Sequence, residues 1–477
     1  MTNTDTAQDN GPTTHIAIIG AGPGGYVAAL RAAQLGARVT LIEKEYVGGV
    51  CLNVGCIPTK ALLRGAEVLS VVKDADRFGV EVENVSFDWA ALQPHKERTV
   101  TTMVKGVRLL LDRAGVELIE GEARFMRANT LRVRTEEGER TVEANKIIIA
   151  TGSRPLVVPI PGLDDPDILD STGALNLQAL PQSMGIIGGG AIGLEWASLF
   201  HTFGVEVTLI EMLPRLAPLM DASIGEGLAW TFEQQGIDVR TGTRVTKIEH
   251  TDAGHRLFMS SEDGEDEVEV ERVLAAIGRA PNVENLGLET VGIQPSRLGI
   301  AVDNRMRTVV PDIYAIGDVA AEGPMLAHVA SHQGIVAVED ALGHRGAAMD
   351  YTAVPSCIFC VPEASSVGLS EEQARDEGYD VETGTFSLAN NGKAQAYGDT
   401  DGFIKIVAER EMGAVLGLHI VGPHASDLIQ EGTALLGLEA TLEEVFHLIH
   451  PHPTLSESIH EAALAVRKRA IHLPAAR

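Results

Sequence analysis

Two of the four cysteines in this 477-residue chain, Cys51 and Cys56, share the stretch Gly48-Gly49-Val50-Cys51-Leu52-Asn53-Val54-Gly55-Cys56-Ile57-Pro58-Thr59-Lys60. On an uninterrupted helix, Cα atoms at i and i+5 lie more than about 7 Å apart, too far for a disulfide. Pairing therefore requires the backbone to bend between them, and Gly55, beside Cys56, permits a bend. A strained, accessible disulfide is easier to reduce than a structural one, so a pair this close would suit redox chemistry. Spacing alone leaves a second reading open: two buried thiols that never pair.

The stretch resembles the active-site disulfide motif of the pyridine nucleotide–disulfide oxidoreductases. Within that family it is most similar to the motif of the dihydrolipoamide dehydrogenases; glutathione and mercuric reductases share the motif type. Val50 stands where Thr is common and Thr59 where Ser is common, and neither change removes a reacting group. The resemblance implies a redox-active disulfide. Cys51 would be the thiol that exchanges with substrate, and Cys56 the charge-transfer thiol nearer a flavin. It covers about residues 15–470.

The elements that must position this pair begin at His15-Ile16-Ala17-Ile18-Ile19, a short apolar run that reads as a buried parallel strand. Gly20-Ala21-Gly22-Pro23-Gly24-Gly25 follows, then an apolar-periodic helix to about Leu35 and a strand, Arg38–Ile42, ending at Glu43. This is a dinucleotide-binding layout. Gly20 makes the tight turn, Gly22 admits the pyrophosphate, Gly25 lets helix pack on strand, and Glu43 can accept from a ribose hydroxyl. The layout recurs as strand Ser183–Ile187, glycines Gly188, Gly190 and Gly193, a helix to about Phe203, and strand Val205–Ile210 ending at Glu211. The offset from first glycine to terminal acid is the same in both copies (20 to 43, 188 to 211). Two dinucleotide sites imply two cofactors with hydride passing between them. The first copy runs directly into the cysteine pair, so its cofactor must exchange electrons with a disulfide, as a flavin can and nicotinamide seldom does. The first site is therefore expected to hold FAD and the second a nicotinamide nucleotide; the family resemblance agrees. Glu211 favours a free 2′-hydroxyl, hence NAD, although Arg215 four residues on could receive a 2′-phosphate.

Composition bounds the remaining classes. The length suggests roughly three domains, and 45% hydrophobic residues suffice for large cores. A formal charge of −28 repels phosphate backbones and speaks against nucleic acid. Only ten of the 38 basic residues are lysine, compatible with salt adaptation or with an ordinary acidic enzyme. Residues 1–14 are polar and lack Lys and Arg, and no run of 18 apolar residues exists, so neither a targeting peptide nor a membrane span is expected. The expected location is the cytoplasm.

Between the two copies, about Asp88–Gly115 reads as helix. Lys146–Ala150 reads as a strand leading to Thr151, Gly152 and Ser153, which resembles the family's exit from the flavin domain. The proline-rich Pro155–Pro166 marks a boundary, and Ile277-Gly278-Arg279 marks the return. Ile313–Asp318 resembles the second flavin fingerprint, with Asp318 on the ribityl chain; Asp318 could instead cap a helix over Met325–Leu342. From Asp350, strands at Val354–Phe359, Thr383–Leu388, Gly402–Val407 and Ala414–Val421 precede helices at Ala425–Leu436, Leu442–Leu448 and Thr454–Lys468. That order predicts an α+β domain, similar to the family's interface domain. The expected fold is thus α/β: two doubly wound dinucleotide-binding domains and a C-terminal α+β domain. The expected boundaries are 1–155 (FAD), 156–278 (NAD), 279–350 (return to the FAD or central part) and 351–477 (interface). Cys357 and Cys360 form a C-x-x-C without a second cysteine pair, and they read as buried structural thiols rather than metal ligands. No metal is expected.

Dithiol oxidation needs a base, because thiolate is the nucleophile. His450-Pro451-His452-Pro453-Thr454-Leu455-Ser456-Glu457 resembles the family's H-P-T-x-x-E motif starting at His452, with Pro451 replacing the usual Ala. His452 is then the base, Glu457 its orienting acid, and His450 a packing residue. Thr454 to Glu457 is also a capping box, the alternative for Glu457. By motif position, Lys60 is set to reach the flavin ring and Glu195 to pair with it; either could otherwise be a solvated helix charge. The resemblance implies a homodimer in which His452 serves the partner subunit's disulfide. It also implies association with lipoyl domains and the acyltransferase core of a 2-oxo acid dehydrogenase complex or the glycine cleavage system. A mercuric reductase would need a C-terminal cysteine pair, which Leu455–Arg477 lacks, and glutathione reductases use NADPH, against Glu211. The expected reaction is oxidation of dihydrolipoamide. The alternatives are another disulfide reductase on this scaffold, or a non-catalytic flavin-binding subunit.

Overall fold

The structure, a computed structural model, describes residues 13–344, 346 and 348–474. Most of the polar N-terminal stretch discussed above, residues 1–12, lies outside the described residues. The chain divides into two compact units. One is drawn from Met1–Pro58, Glu97–Arg154 and Arg279–Asp350, the other from Thr59–Lys96, Pro155–Gly278 and Tyr351–Arg477.

The first unit is built on a five-stranded parallel sheet. Its order is Ile313–Ala315, Lys146–Ile149, His15–Ile19, Arg38–Glu43, Glu117–Glu120. Ile16 pairs with Val39 on one side and Lys146 on the other. Strand order thus reverses at the first strand, the place where such sheets open a crevice for ligands. Ile16, Ala17 and Ile18 are wholly buried, as expected of a parallel strand covered on both faces. The helix Pro23–Gln34 packs against Ala327–Ala341 through small residues: a Cβ on Gly334 would meet the Gly24 carbonyl at 2.7 Å. Arg31 reaches Glu339 from the same helix (2.6 Å). An antiparallel sheet of Glu122–Arg127, Thr130–Thr135 and Gly138–Glu143 buries Phe125, Leu131 and Val133 in a core shared with Ile19, Ile42 and Ile149.

In the second unit a four-stranded parallel sheet repeats the plan, in the order Asp238–Arg240, Glu206–Ile210, Ser183–Ile187, Arg272–Ala275. A meander of Arg244–Thr251, Gly254–Ser261 and Gly264–Val270 packs on it through Ile248, Leu257 and Met259. The C-terminal part is a five-stranded antiparallel sheet, in the order Ser356–Ile358, Ala364–Gly368, Val415–Val421, Phe403–Glu409, Val381–Ser387. Helices Ala425–Gly437, Leu442–His447 and Glu457–Val466 share its core. The α/β plan with an α+β C-terminal domain is as the sequence predicts. The ends of the expected elements shift by up to three residues, the strand Ala364–Gly368 is an addition to those expected, and the long helix runs Trp89–Arg113. No helix among the described residues is long and apolar enough to cross a membrane.

A buried charge cluster ties the second parallel domain to the C-terminal sheet. Asp221 caps the helix Ala222–Gln235 by accepting from the Ser223 N–H (3.0 Å), and it accepts from Lys405 Nζ (2.9 Å) and the Glu371 N–H (2.9 Å). Burial alone would raise the Asp221 carboxyl, but His419, Ser223, the Glu371 N–H and Lys405 hold it well below the usual carboxylate range. Burial lowers His419 to about 4, so the imidazole is neutral at pH 7 and bonds to Ser366 Oγ (2.6 Å) and the Leu369 carbonyl (3.1 Å). Asp221→Ala strands the Lys405 ammonium beside the partly exposed Glu371 and uncaps a helix. Stability should fall by about 3–5 kcal/mol, read as a lower thermal midpoint. A loss under about 1 kcal/mol would show that the cluster is not a lock.

Candidate active site

Both glycine turns are built alike. Gly20 has φ 105° and Gly188 φ 114°, in the left-handed region, where a side chain is strained. A Cβ would also strike the carbonyl ending the neighbouring strand, Ala150 at 2.2 Å or Ala276 at 2.4 Å. A Cβ on Gly25 or Gly193 would fall 1.8 or 1.9 Å from the carbonyl of Gly20 or Gly188, so helix and strand touch through glycine. The middle glycines differ. Above Gly190 nothing lies within 4 Å, and above Gly22 only the Cα of Gly49, at 3.8 Å. Each begins its helix with no side-chain cap, leaving open space before amides that can accept an anion. The acids hold both turns from behind: Glu43 accepts from the Ala21 N–H (2.6 Å), and Glu211 from Gly189 (2.6 Å) and Leu213 (2.7 Å). These arrangements fit a dinucleotide at each turn. Arg215, which could receive a 2′-phosphate, is held bidentately by Glu372 (2.8 and 2.7 Å).

The cysteine stretch lies directly against the first turn. Gly48 N–H donates to the Ala21 carbonyl (2.8 Å), and a Cβ on Gly49 would sit 2.5 Å from the Cα of Gly22. The short helix Gly49–Val54 carries a half-buried Cys51 and ends at Gly55, whose φ −146° and ψ −115° are not helical. A second helix, Cys56–Lys73, starts with an exposed Cys56. The bend that pairing requires is therefore present at Gly55. A Cβ there would come 3.0 Å from the Val50 carbonyl. Asn53 ties the short helix back by donating to the carbonyls of Val47 (3.0 Å) and Gly49 (2.9 Å).

Thr151 and Gly152 are clasped by Asn282. Thr151 Oγ1 donates to its carbonyl (2.7 Å), and its side-chain amide and N–H return bonds to the carbonyls of Thr151 (3.0 Å) and Gly152 (2.9 Å). Gly278, at φ 122°, receives the Leu156 N–H (3.0 Å). Asp318 does not cap the following helix, which starts at Ala327 behind Leu326. Its carboxylate accepts from Ser153 Oγ (2.5 Å), which in turn accepts from Arg279 Nε (2.7 Å). Ser153, Arg279, Asn282 and the buried Gln333, which accepts from the Gly317 N–H (2.6 Å), escaped the sequence reading. Ser153 and Arg279 lie within the stretches Thr151–Ser153 and Ile277–Arg279 that the sequence singles out, where their types alone assign them no role.

Lys60 and Glu195, 135 positions apart, form an ion pair: Nζ donates to both carboxylate oxygens at 2.8 Å. Glu195 is buried and accepts also from the Phe359 N–H (3.1 Å), so it is no solvated helix charge. Lys60 Nζ lies 4.4 Å from the Phe359 ring centroid. Cys357 and Cys360 follow nearby. Burial raises the Cys357 thiol to about 11 and the Cys360 thiol further, keeping both protonated, and Cys360 donates to the Pro362 carbonyl (3.1 Å).

His452 Nδ1 bonds to Glu457 Oε1 (2.9 Å). A carboxylate can only accept, so Nδ1 carries a proton and donates it, which leaves Nε2 as the nitrogen available to a substrate on a ring that is 78% exposed. Burial would raise Glu457, but the Thr454 N–H, His452 and His450 outweigh it and lower it, so it stays ionised. Glu457 Oε2 accepts from the Thr454 N–H (2.8 Å), so the acid serves His452 and the chain entering the helix at once. The expected capping box does not close. The helix begins at Glu457, not Thr454, and Thr454 Oγ1 turns back to the Pro451 carbonyl (2.7 Å). His450 does more than pack: Nε2 bonds to Glu431 (2.8 Å), which raises its pKa, and its ring stacks on His460.

The two kinds of glycine predict different losses. Gly190→Ala meets open space at an extended φ, so it should leave thermal stability within about 1 kcal/mol and raise KM for the nicotinamide nucleotide. Gly193→Ala meets backbone at 1.9 Å and should destabilise the domain itself. Equal behaviour of the two variants would contradict this division.

Comparison with known proteins accords with this geometry. Residues 14–334 match the pyridine nucleotide-disulphide oxidoreductase family and residues 354–463 its dimerisation domain. The chain is 43% identical over 468 residues to a dihydrolipoyl dehydrogenase of Bacillus subtilis, covering 96% of this chain and 98% of that protein. It is likewise 43% identical to one of Halobacterium salinarum, covering 96% and 97%. Among solved structures, LpdA of Mycobacterium tuberculosis superposes with a TM-score of 0.87 at 29% identity, covering 94% of this chain and 99% of that one. The HOCl-induced flavoprotein disulfide reductase RclA of Escherichia coli gives 0.83 at 30%, with the same coverage. With two repeated nucleotide turns, a cysteine pair set on the first, and both family regions matched in order, the chain belongs to the pyridine nucleotide-disulphide oxidoreductase family.

Proposed function

We propose that this chain oxidises a dihydrolipoyl dithiol to its cyclic disulfide with NAD+ as final acceptor, the reaction of a dihydrolipoyl dehydrogenase. The observation that carries the reading is the cysteine pair straddling a helix break directly against the first nucleotide turn. Gly20, Gly22, Gly25, Glu43, Thr151, Gly152 and Asp318 would hold FAD. Gly188, Gly190, Gly193, Glu211 and Gly278 would hold NAD. FAD, when bound, supplies a two-electron acceptor for the protein dithiol and a hydride donor to NAD+. The chain's own residues do the sulfur chemistry. His452 Nε2 takes a proton from the substrate thiol while Glu457 stabilises the imidazolium. The substrate thiolate attacks Cys51 Sγ, the Cys51–Cys56 bond breaks, and Cys56 leaves as thiolate. The second substrate thiol attacks the substrate sulfur of the mixed disulfide, which closes the cyclic product, and its proton passes to the departing Cys51 sulfur, leaving a Cys51 thiol. Glu195 holds the Lys60 ammonium in place, where it would supply positive charge toward a bound flavin.

The protein works as a homodimer, which the matched dimerisation domain supports. We place it in the cytoplasm, serving lipoyl domains on the acyltransferase core of a 2-oxo acid dehydrogenase complex or the glycine cleavage system. The first test is steady-state turnover of dihydrolipoamide. NAD+ should exceed NADP+ by at least about tenfold in kcat/KM, because Glu211 repels a 2′-phosphate and Arg215 is engaged. Equal rates with the two coenzymes, or faster turnover of glutathione disulfide with NADPH, would sink the assignment. The second test asks which subunit supplies the base. Cys51→Ser and His452→Gln should each be inactive; mixed with subunit exchange in equal amounts, they make about half mixed dimers. If His452 serves the partner subunit's disulfide, each mixed dimer holds one intact site and activity returns to roughly a quarter of wild type. With exchange verified, no recovery means the base serves its own chain.

A further inference from the structure

His255 is 1% exposed, and neither of its ring nitrogens has a hydrogen-bond partner. A buried imidazole left without a hydrogen bond is costly in a folded protein and calls for a ligand. Its surroundings supply the rest of one. His255 faces His250 across the hairpin of Arg244–Thr251 and Gly254–Ser261, directly in register, and the two rings meet edge to face at 5.2 Å. Asp165, from the proline-rich segment before the second nucleotide domain, completes the group. Its Oδ1 accepts from the Asp167 N–H (2.9 Å), leaving Oδ2 to face His250 Nδ1 at 3.2 Å and His255 Nε2 at 3.6 Å. All three ligand atoms lie within 4.8 Å of one another.

From this we infer a metal site, and the geometry points to zinc. Zinc takes imidazole nitrogen and carboxylate oxygen at about 2.0–2.1 Å, and tetrahedral bonds of that length set donors about 3.3 Å apart, close to the two separations between Asp165 Oδ2 and the imidazoles. Two imidazoles and one carboxylate suit zinc over magnesium or calcium, which prefer oxygen throughout. His255 is fixed by burial, and Asp165 by its turn. The segment is pressed onto the hairpin: Ile248 N–H donates to the Pro161 carbonyl (2.8 Å), and a Cβ on Gly162 would lie 2.0 Å from the Ile248 carbonyl. His250, 57% exposed, is the side from which an ion enters and where water would fill the remaining position. A bound ion would clamp the proline-rich segment to the hairpin.

The test uses the FAD-loaded protein carrying Cys51→Ser and Cys56→Ser, so that redox thiols do not compete for the ion. After chelation and removal of the chelator, it is titrated with zinc chloride by calorimetry. One zinc per chain should bind with a Kd of about 10 µM or tighter. His250→Ala should weaken it at least about tenfold, and Asp165→Asn likewise. His250 is exposed, so its removal leaves the fold intact; an unchanged thermal midpoint without metal verifies this. Absence of one-to-one binding, or an affinity that His250→Ala leaves unchanged, overturns the site.

Discussion

Backbone against backbone at Gly22 and Gly49 is the contact on which the redox arrangement depends. A Cβ on Gly49 would stand 2.5 Å from the Gly22 Cα, so position 49 must be glycine for the cysteine helix to reach the nucleotide turn. The Gly48 N–H to Ala21 carbonyl bond and the Asn53 clasp fix the same junction. Packed backbone yields little. Cys51 is therefore placed by the turn that would hold the cofactor, and its distance from that turn is a property of the fold rather than of side-chain choice.

The second nucleotide domain repeats the turn, strand order and supporting acid of the first, yet no cysteine helix follows it. Chemistry in the two halves thus comes from what is attached to the turns. In the first half that is the cysteine helix. In the second it is the Glu195 carboxylate on the turn's own helix, which meets Lys60, one turn beyond Cys56 on the second cysteine helix.

What could be read from the chain follows from range. The glycine turns, the bend at Gly55 and the acids at the strand ends are local, and short-range backbone geometry dictates them. Lys60 with Glu195, and His452 with Glu457, were legible only through resemblance to a known family, since spacing says nothing of a contact 135 positions apart. The Ser153–Asp318–Arg279 relay, Glu431 beneath His450, the Asp221–Lys405 lock and the Asp165–His250–His255 group were illegible. They join ordinary polar residues from distant strands, which carry no periodicity or motif. The last helix begins at Glu457 rather than Thr454, since Thr454 Oγ1 turns back to the Pro451 carbonyl and not onto the helix amides, a choice that a sequence pattern does not show.

Glu211 has its two oxygens committed before any coenzyme arrives, one to the Gly189 N–H and one to the Leu213 N–H. This makes coenzyme choice hard to redesign. The usual route to a phosphate-accepting pocket replaces such an acid with a small neutral residue. Here that exchange would also strip two backbone amides of their acceptor and loosen the turn that must grip the pyrophosphate. Freeing Arg215 would require removing Glu372 as well. Preference for one nicotinamide nucleotide is thus wired into the domain's own stability, and an engineer reversing it would have to rebuild the turn's support along with its charge.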